Sequence, residues 1–336
     1  MYLYEWCMHW SKGQTTYEQR AENARNLQRK PGQAELHSPE GVKESISAQV
    51  TDNESVYAYN ETYLDIRTPN DEKRGLITLA IGGIGGTVLW GCLLSLSLVL
   101  QTLLGLDKYR DEPMPWDFYL FAIVAISVSC VSFYLYFKYV FPHLRLEAFT
   151  SRRLIIRFNR ITQKVYLLRP PHIGGTLIMD WDKAGVVIDK AMSEAEGTGG
   201  FVILGWDKGD GMTLQGKPTQ DVELAFIGKP TRSAAELLAF WEYIRRYMEC
   251  GLDAAPRPQR LICKFPWPWN SFKAAWRLDT SFLGNPALWL FISINLLLLP
   301  VILIHGFFHW ISLLLCYEPR FPKAIEQAGQ PSKSAR

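Results

Sequence analysis

Hydrophobic positions along this chain follow three patterns, and each predicts a different element. Three stretches, 75–106, 118–137 and 280–317, contain no Asp, Glu, Lys or Arg. A helix crosses a bilayer core with about 20 predominantly apolar residues, and each stretch is long enough. The second pattern is alternation. In "RLIIRFNRITQKVYLLR", Arg153–Arg169, the side chains of Leu154, Ile156 and Phe158 share one face and a polar "NRITQK" turn follows, as in a β-hairpin. "GTLIMDW", "GVVID", "GFVILGWD" and "DVELAFIG" continue the series as short strands, separated by turn signals such as "DKGDG" at 207–211. The third is helical. In "SAAELLAFWEYIRRYME", 233–249, residues Leu237, Trp241, Ile244 and Met248 recur at helical spacing, and Gly251 follows as a stop.

Together these patterns predict an α+β membrane protein. The expected organisation is a polar, partly flexible N-terminal region (1–60) and a transmembrane hairpin (61–144), with spans at about 76–104 and 118–141. A β-sheet plus helix module (145–255), an interfacial linker (256–281), a C-terminal membrane segment (282–317) and a polar tail (318–336) follow. Antiparallel strands closed by one amphipathic helix make the module pleckstrin-homology-like in pattern. Trp267, Trp269 and Trp276 suit a membrane interface. Pro300 interrupts the last apolar stretch, which reads as a kinked span ending near Trp310 or as a re-entrant hairpin.

Basic residues set the expected sidedness. Arg67, Lys73 and Arg74 precede the first span, and Arg145, Arg152, Arg153, Arg157 and Arg160 follow the second. The link between the spans has only Lys108 and Arg110. Cytoplasmic flanks carry the basic excess, so the module is expected in the cytoplasm and the link outside. No cleavable signal is visible at the N-terminus, so the first span is expected to direct insertion itself.

Composition narrows the function classes further. Apolar residues make up 48% and charged residues 21%, and the formal charge of +3 is too small to argue for nucleic acid. The six cysteines include no C-x-x-C pair. His305 and His309 have a spacing that can present two imidazoles to a metal, but a site needs a third ligand, and interfacial histidines are the preferred reading. Asp180 and Asp182 around Trp181, and Asp207 and Asp210 in a glycine turn, read as strand-edge and turn residues, because the calcium-loop spacing is missing. Asn295 reads as a helix–helix hydrogen-bonding residue. No nucleophile elbow, phosphate-binding loop or zinc-protease motif occurs, so neither an enzyme nor a cofactor is expected. Proton and ion pathways use intramembrane charges, so the three charge-free stretches disfavour a transporter. In "GGIGG", Gly82 and Gly86 lie four apart, as in small-residue helix packing, and the spacing fails the dinucleotide fingerprint.

The order of "FNRITQKVYLLRP" (158–170), "DWD" (180–182), "AFWEYIRRYMECG" (239–251) and "EPRFPKAIEQAG" (318–329) after a membrane hairpin resembles a family of proteobacterial membrane proteins. That family carries a domain of unknown function and is often encoded beside type VI secretion genes and their effectors. The resemblance covers about residues 60–329, with "EPRFP" standing where a Trp-Pro pair is expected. Its motif positions Phe158, Asn159, Arg160, Trp181 and Trp241 imply structural roles. It implies a bacterial inner-membrane immunity protein acting against a secreted effector, or an adaptor docking effectors or secretion components.

Overall fold

A computed structural model describes residues 2–14, 16, 18–19, 35–37, 43–69, 71–104, 115–188, 200–231, 233–275 and 298–330. The expectations for the link around Lys108 and Arg110, for Trp276, and for 282–297 with Asn295 fall outside these residues. Contacts divide the chain into two units. A sheet unit comprises Tyr2–Asp71, Ser151–Phe265 and Tyr317–Arg336, and a helical unit comprises Glu72–Thr150 and Pro266–Cys316.

Among the described residues, ten strands form the sheet unit: β1 (Glu35–His37), β2 (Val56–Tyr59), β3 (Tyr63–Arg67), β4 (Ile155–Asn159), β5 (Lys164–Leu168), β6 (Leu177–Asp180), β7 (Gly185–Ile188), β8 (Gly200–Trp206), β9 (Gly211–Thr213) and β10 (Glu223–Thr231). They make a six-stranded sheet, β2-β3-β4-β5-β6-β9, and a four-stranded sheet, β1-β7-β8-β10. Every pairing is antiparallel. The longer helices among the described residues are α1 (Leu3–Gln14), α2 (Thr78–Leu103), α3 (Trp116–Leu144), α4 (Ala234–Glu249), α5 (Pro268–Ala275) and α6 (Leu299–Leu314), with the short α7 (Lys323–Gln327) in the C-terminal segment.

The core of the sheet unit is what the alternation predicts. Ile156 and Phe158 of β4 meet Val186, Leu204 and Ile227 of the smaller sheet and Leu237, Phe240, Trp241 and Ile244 of α4 in one buried cluster. Helix α4 starts at Ser233, whose Oγ accepts from the Glu236 N–H at 3.4 Å and satisfies one of the free first-turn donors. Trp241 lies 5.6 Å from the Trp181 ring, which stands edge-on to Phe158 at 5.9 Å. Such tilted aromatic pairs add to simple area burial.

Two features depart from the sequence reading. The face of β4 opposite the core is also covered. Ile155, Tyr57 and Tyr166 pack under Phe321 and Ile325 of the C-terminal segment, so this strand, whose alternation marks one apolar face, is buried on both faces. Arg157 on that face bonds Asp65 through two 2.7 Å contacts and lies between the Tyr63 and Phe321 rings. Burial of a guanidinium is tolerable here because a carboxylate and two ring faces replace its water.

The second departure is topological. Strands β2 and β3 precede the helical hairpin in sequence, yet β3 pairs with β4 from Leu64↔Phe158 to Arg67↔Ile155. The Thr68 N–H bonds the Leu154 carbonyl at 3.3 Å, so the chain between these residues leaves and returns at one point of the sheet. A second excursion behaves alike. Arg152 donates its N–H to the Tyr317 carbonyl at 2.7 Å and its Nη1 to the Lys264 carbonyl at 2.8 Å, bringing the two ends of 266–316 together.

In the helical unit, α2 has 26 residues and α3 has 29, and both are long and apolar enough to cross a membrane. At about 1.5 Å per residue, each exceeds a hydrocarbon core of about 30 Å. Their side chains point outward: Trp90 is 63% exposed and Ile123 is 64% exposed. The expected second span, ending at Phe141, also takes in one charge. Lys138 lies six residues before the end of α3 at Leu144, where its Nζ bonds the Tyr134 hydroxyl at 2.6 Å and sits 5.1 Å from the Tyr139 ring. A long ammonium side chain reaches the polar boundary in this way.

Candidate functional site

A cluster of buried polar groups lies where α2 begins. Arg74 is fully buried. Its Nε donates to Ser312 Oγ at 3.1 Å, and its Nη2 donates to Cys316 Sγ at 2.8 Å and to the Glu147 carbonyl. Glu147, also fully buried, turns its carboxylate to the start of the helix. Oε2 accepts from the Gly75 N–H at 3.0 Å, the Thr78 N–H at 2.9 Å and Thr78 Oγ1 at 3.1 Å. The first turn of a helix has unpaired N–H groups and a partial positive charge, so a carboxylate there is doubly favoured. Helix α2 is thus capped by a residue from the turn that follows α3.

Helix α6 completes the cluster. His305 Nε2 lies 2.9 Å from the Arg74 carbonyl, Ser312 Oγ donates to the His309 carbonyl at 2.7 Å, and Cys316 Sγ donates to the Glu147 carbonyl at 3.0 Å. Gly75 makes the crossing possible. Its φ is +96°, and a Cβ there would lie 2.4 Å from the His309 backbone nitrogen. Only glycine combines that dihedral with that approach. Chemically, the cluster is a clamp joining three segments through Glu147 Oε2 and the Arg74 guanidinium, while Glu147 Oε1 is buried without a hydrogen bond among the described residues. Among the described residues, no group of three or more His, Cys, Asp or Glu could hold a metal ion. The His305 and His309 rings are 6.4 Å apart and perpendicular, and His305 is engaged with the backbone.

The glycines singled out from sequence have different surroundings. A Cβ on Gly82 would meet Thr78 and Leu144 at ordinary contact distances, 3.7 and 3.8 Å, and one on Gly86 would meet nothing within 4 Å. Inside the hairpin the close approach occurs at Gly85, where a Cβ would lie 2.6 Å from the Tyr136 ring. The Tyr136 hydroxyl reaches the Ile81 carbonyl at 3.5 Å, beside the widened, π-helical turn Thr78–Ile84. Sequence spacing could not select Gly85, since the deciding contact is with a residue of the other helix.

The motif residues occupy joints of the sheet unit. Asn159 Oδ1 accepts from the Ile161 and Thr162 N–H groups at 3.1 and 3.0 Å, shaping the hairpin turn. Its Nδ2 donates to the Ala328 carbonyl at 2.8 Å and holds the C-terminal segment. Arg160 bonds the Glu61 carbonyl at 2.9 Å, and Trp181 Nε1 donates to Glu249 at 2.6 Å. Phe158 and Trp241 are core residues. The aspartates are paired as well: Asp180 with Lys164, Asp182 with Lys43 at 3.1 Å and Asp210 with Lys183 at 3.3 Å, while Asp210 also accepts from the Asp207 N–H at 3.0 Å.

The Glu242 carboxylate titrates well below its ordinary value. Burial pushes Glu242 up, but Arg245, Arg246, the Ser45 hydroxyl and the Ile46 N–H together outweigh it and hold the group at about 2. The guanidinium contacts are 2.7 to 2.9 Å long, so this carboxylate ties residues 45–46 to α4. The sequence reading counted Arg74 and Arg157 only as basic flanks of the spans and named none of Glu147, Asp65 and Glu242, because most of the contacts that define their roles come from segments distant in the chain.

No curated protein and no solved structure matches this chain. Residues 133–332, more than half of the 336, match the model of a family of unknown function (DUF6708), and the chain belongs to that family.

Proposed function

We propose that this is a multi-pass protein of the bacterial inner membrane without catalytic activity. In this reading it is an immunity protein that protects against a cognate type VI effector acting in that membrane. The sheet unit, pleckstrin-homology-like in its strands-then-helix order, serves as its cytoplasmic platform. The observation that carries the reading is the outer surface of α2. Its apolar side chains face outward, and the position of Gly86 is open, so a foreign helix could approach the backbone closely. The polar clusters support it too, since their carboxylates and guanidinium groups are spent on holding segments together.

The sheet adds a constraint on how the chain is threaded. Both ends of the α2–α3 excursion meet at β3 and β4, which supports the reading of a hairpin that enters the bilayer and returns to the same side. Residues 266–316 also begin and end at Arg152, which favours a re-entrant hairpin over a single kinked span. The basic flanks then put the sheet unit in the cytoplasm. A Glu112→Cys reporter should react with an impermeant thiol reagent in intact spheroplasts; labelling only after lysis would reverse the orientation.

Co-expression with the neighbouring effector tests the antagonist mechanism. The Gly82→Leu/Gly86→Leu double variant should lose protection at unchanged abundance, because neither glycine is crowded from within. Full protection by that variant would remove α2 as the contact surface. A second reading, an adaptor docking effectors through the sheet unit, is favoured by a cleft of about 820 Å³ lined by Tyr59, Glu61, Asp253, Arg257 and Leu261. For that reading, Arg257→Glu with Leu261→Asp is the damaging change and the glycine variant is silent.

A further inference from the structure

Helices α5 and α6 enclose a feature that neither reading uses. Trp269, Phe272 and Lys273 of α5 and Leu303 of α6 line an apolar groove of about 460 Å³, within the size range of small-molecule sites. Its base is set by Gly306. A Cβ there would lie 2.5 Å from the Phe272 ring, so the ring can settle against α6 only because that position lacks a side chain. Trp310 Nε1 donates to the Pro266 carbonyl at 3.0 Å and fixes the approach to α5. The groove is therefore built by specific packing.

Its chemistry is asymmetric. Three walls are hydrocarbon or aromatic, and the fourth is the aliphatic stem and ammonium of Lys273, which is exposed and has no carboxylate partner among the described residues. Trp269 is 77% exposed beside it, and outward-facing Val301, Leu303 and Ile304 continue the apolar surface along α6. An apolar slot with one cation at its rim complements a ligand with a hydrocarbon chain and a single anionic head. Tryptophan and lysine at such a boundary favour the headgroup level of a bilayer, and basic pockets between membrane helices bind anionic headgroups.

We propose that this groove is a binding site for an anionic phospholipid, with an acyl chain against Phe272 and Leu303 and the phosphate on Lys273. The inference deepens the membrane reading and rests on it.

The test places the photoreactive residue p-benzoylphenylalanine at position 303 of the full chain, in nanodiscs of phosphatidylcholine with or without phosphatidylglycerol. Irradiation and mass spectrometry then report what occupies the groove. The expected result is a phosphatidylglycerol adduct that falls severalfold with Lys273→Glu and survives Lys273→Arg. Equal labelling by both lipids, or indifference to Lys273→Glu, would mean ordinary boundary lipid and overturn the site. So would crosslinks to the chain's own residues 276–297 or to a second copy. Extraction of the chain from native membranes by alkaline carbonate would overturn the membrane reading and the site with it. An integral chain without selective adducts overturns the site alone.

Discussion

The sheet unit and the helical unit draw on similar residues and use them in opposite ways. In the sheet unit, Phe158, Trp181, Trp241 and Ile244 turn inward and are almost completely buried. In the helical unit, Trp90, Leu98 and Ile123 turn outward, and the fully buried side chains include Arg74 and Glu147. Water drives apolar side chains together and leaves charges outside. Against hydrocarbon that drive vanishes, so helices are held by close packing and by polar groups satisfied internally. The difference teaches where each unit is vulnerable: one through its rings, the other through its polar clamp.

The largest expected effect probes the first half of that contrast. Trp241→Ala removes a ring packed against Trp181 and leaves a cavity, which should cost roughly 3–5 kcal/mol. Denaturant unfolding of the full chain in detergent, followed through protease accessibility of the sheet unit, measures it. A loss below about 1 kcal/mol would show that the site collapses around the gap and that the core is looser than its burial indicates.

Glu147→Ala probes the second half. It removes the acceptor of the Gly75 N–H, the Thr78 N–H and the Thr78 hydroxyl and so uncaps α2, and a buried donor left without a partner costs about 1–3 kcal/mol. Thermal unfolding of the full chain should fall, and Glu147→Gln should recover part of the loss by keeping one acceptor oxygen. Equal effects of the two variants would assign the stability to charge alone. Replacing Trp90 or Ile123 by alanine should change little in comparison, since neither ring nor branch is packed inside the unit.

The smallest effect sharpens the comparison within the sheet unit. Glu242 is held at about 2, below its ordinary 4.5, so its stabilising contribution is complete above about pH 4.5. It is lost as acidification carries the solution down toward the folded value, because protonation then favours the unfolded chain. About 1 kcal/mol should be gone by roughly pH 3.5. Glu242→Gln should flatten stability over that interval. An unchanged acid profile would show that Arg245 and Arg246 do not hold the carboxylate in solution.

Much of the architecture was legible in the sequence where the signal is local. The β4–β5 hairpin was readable because alternation and a polar turn lie within Arg153–Arg169, and α4 because its apolar residues repeat at helical spacing. The joints were not legible. Asn159 was recognisable as a motif residue, but its bond to Ala328 depends on the C-terminal segment returning to the sheet. Gly82 and Gly86 had the visible spacing, whereas Gly85 meets Tyr136.

By itself, the sequence determined which segments are strongly apolar, which alternate as strands and that 234–249 is a helix, since these depend on neighbours within a turn or a pleat. Only the tertiary structure decided that the hairpin is inserted between two paired strands, that β4 is covered on both faces, and that Arg74 and Glu147 meet at the start of α2. Each of those outcomes joins groups far apart in the chain. Hydrogen-bond pairing and burial select such partners by geometry in the folded state, and no periodicity along the sequence records the choice.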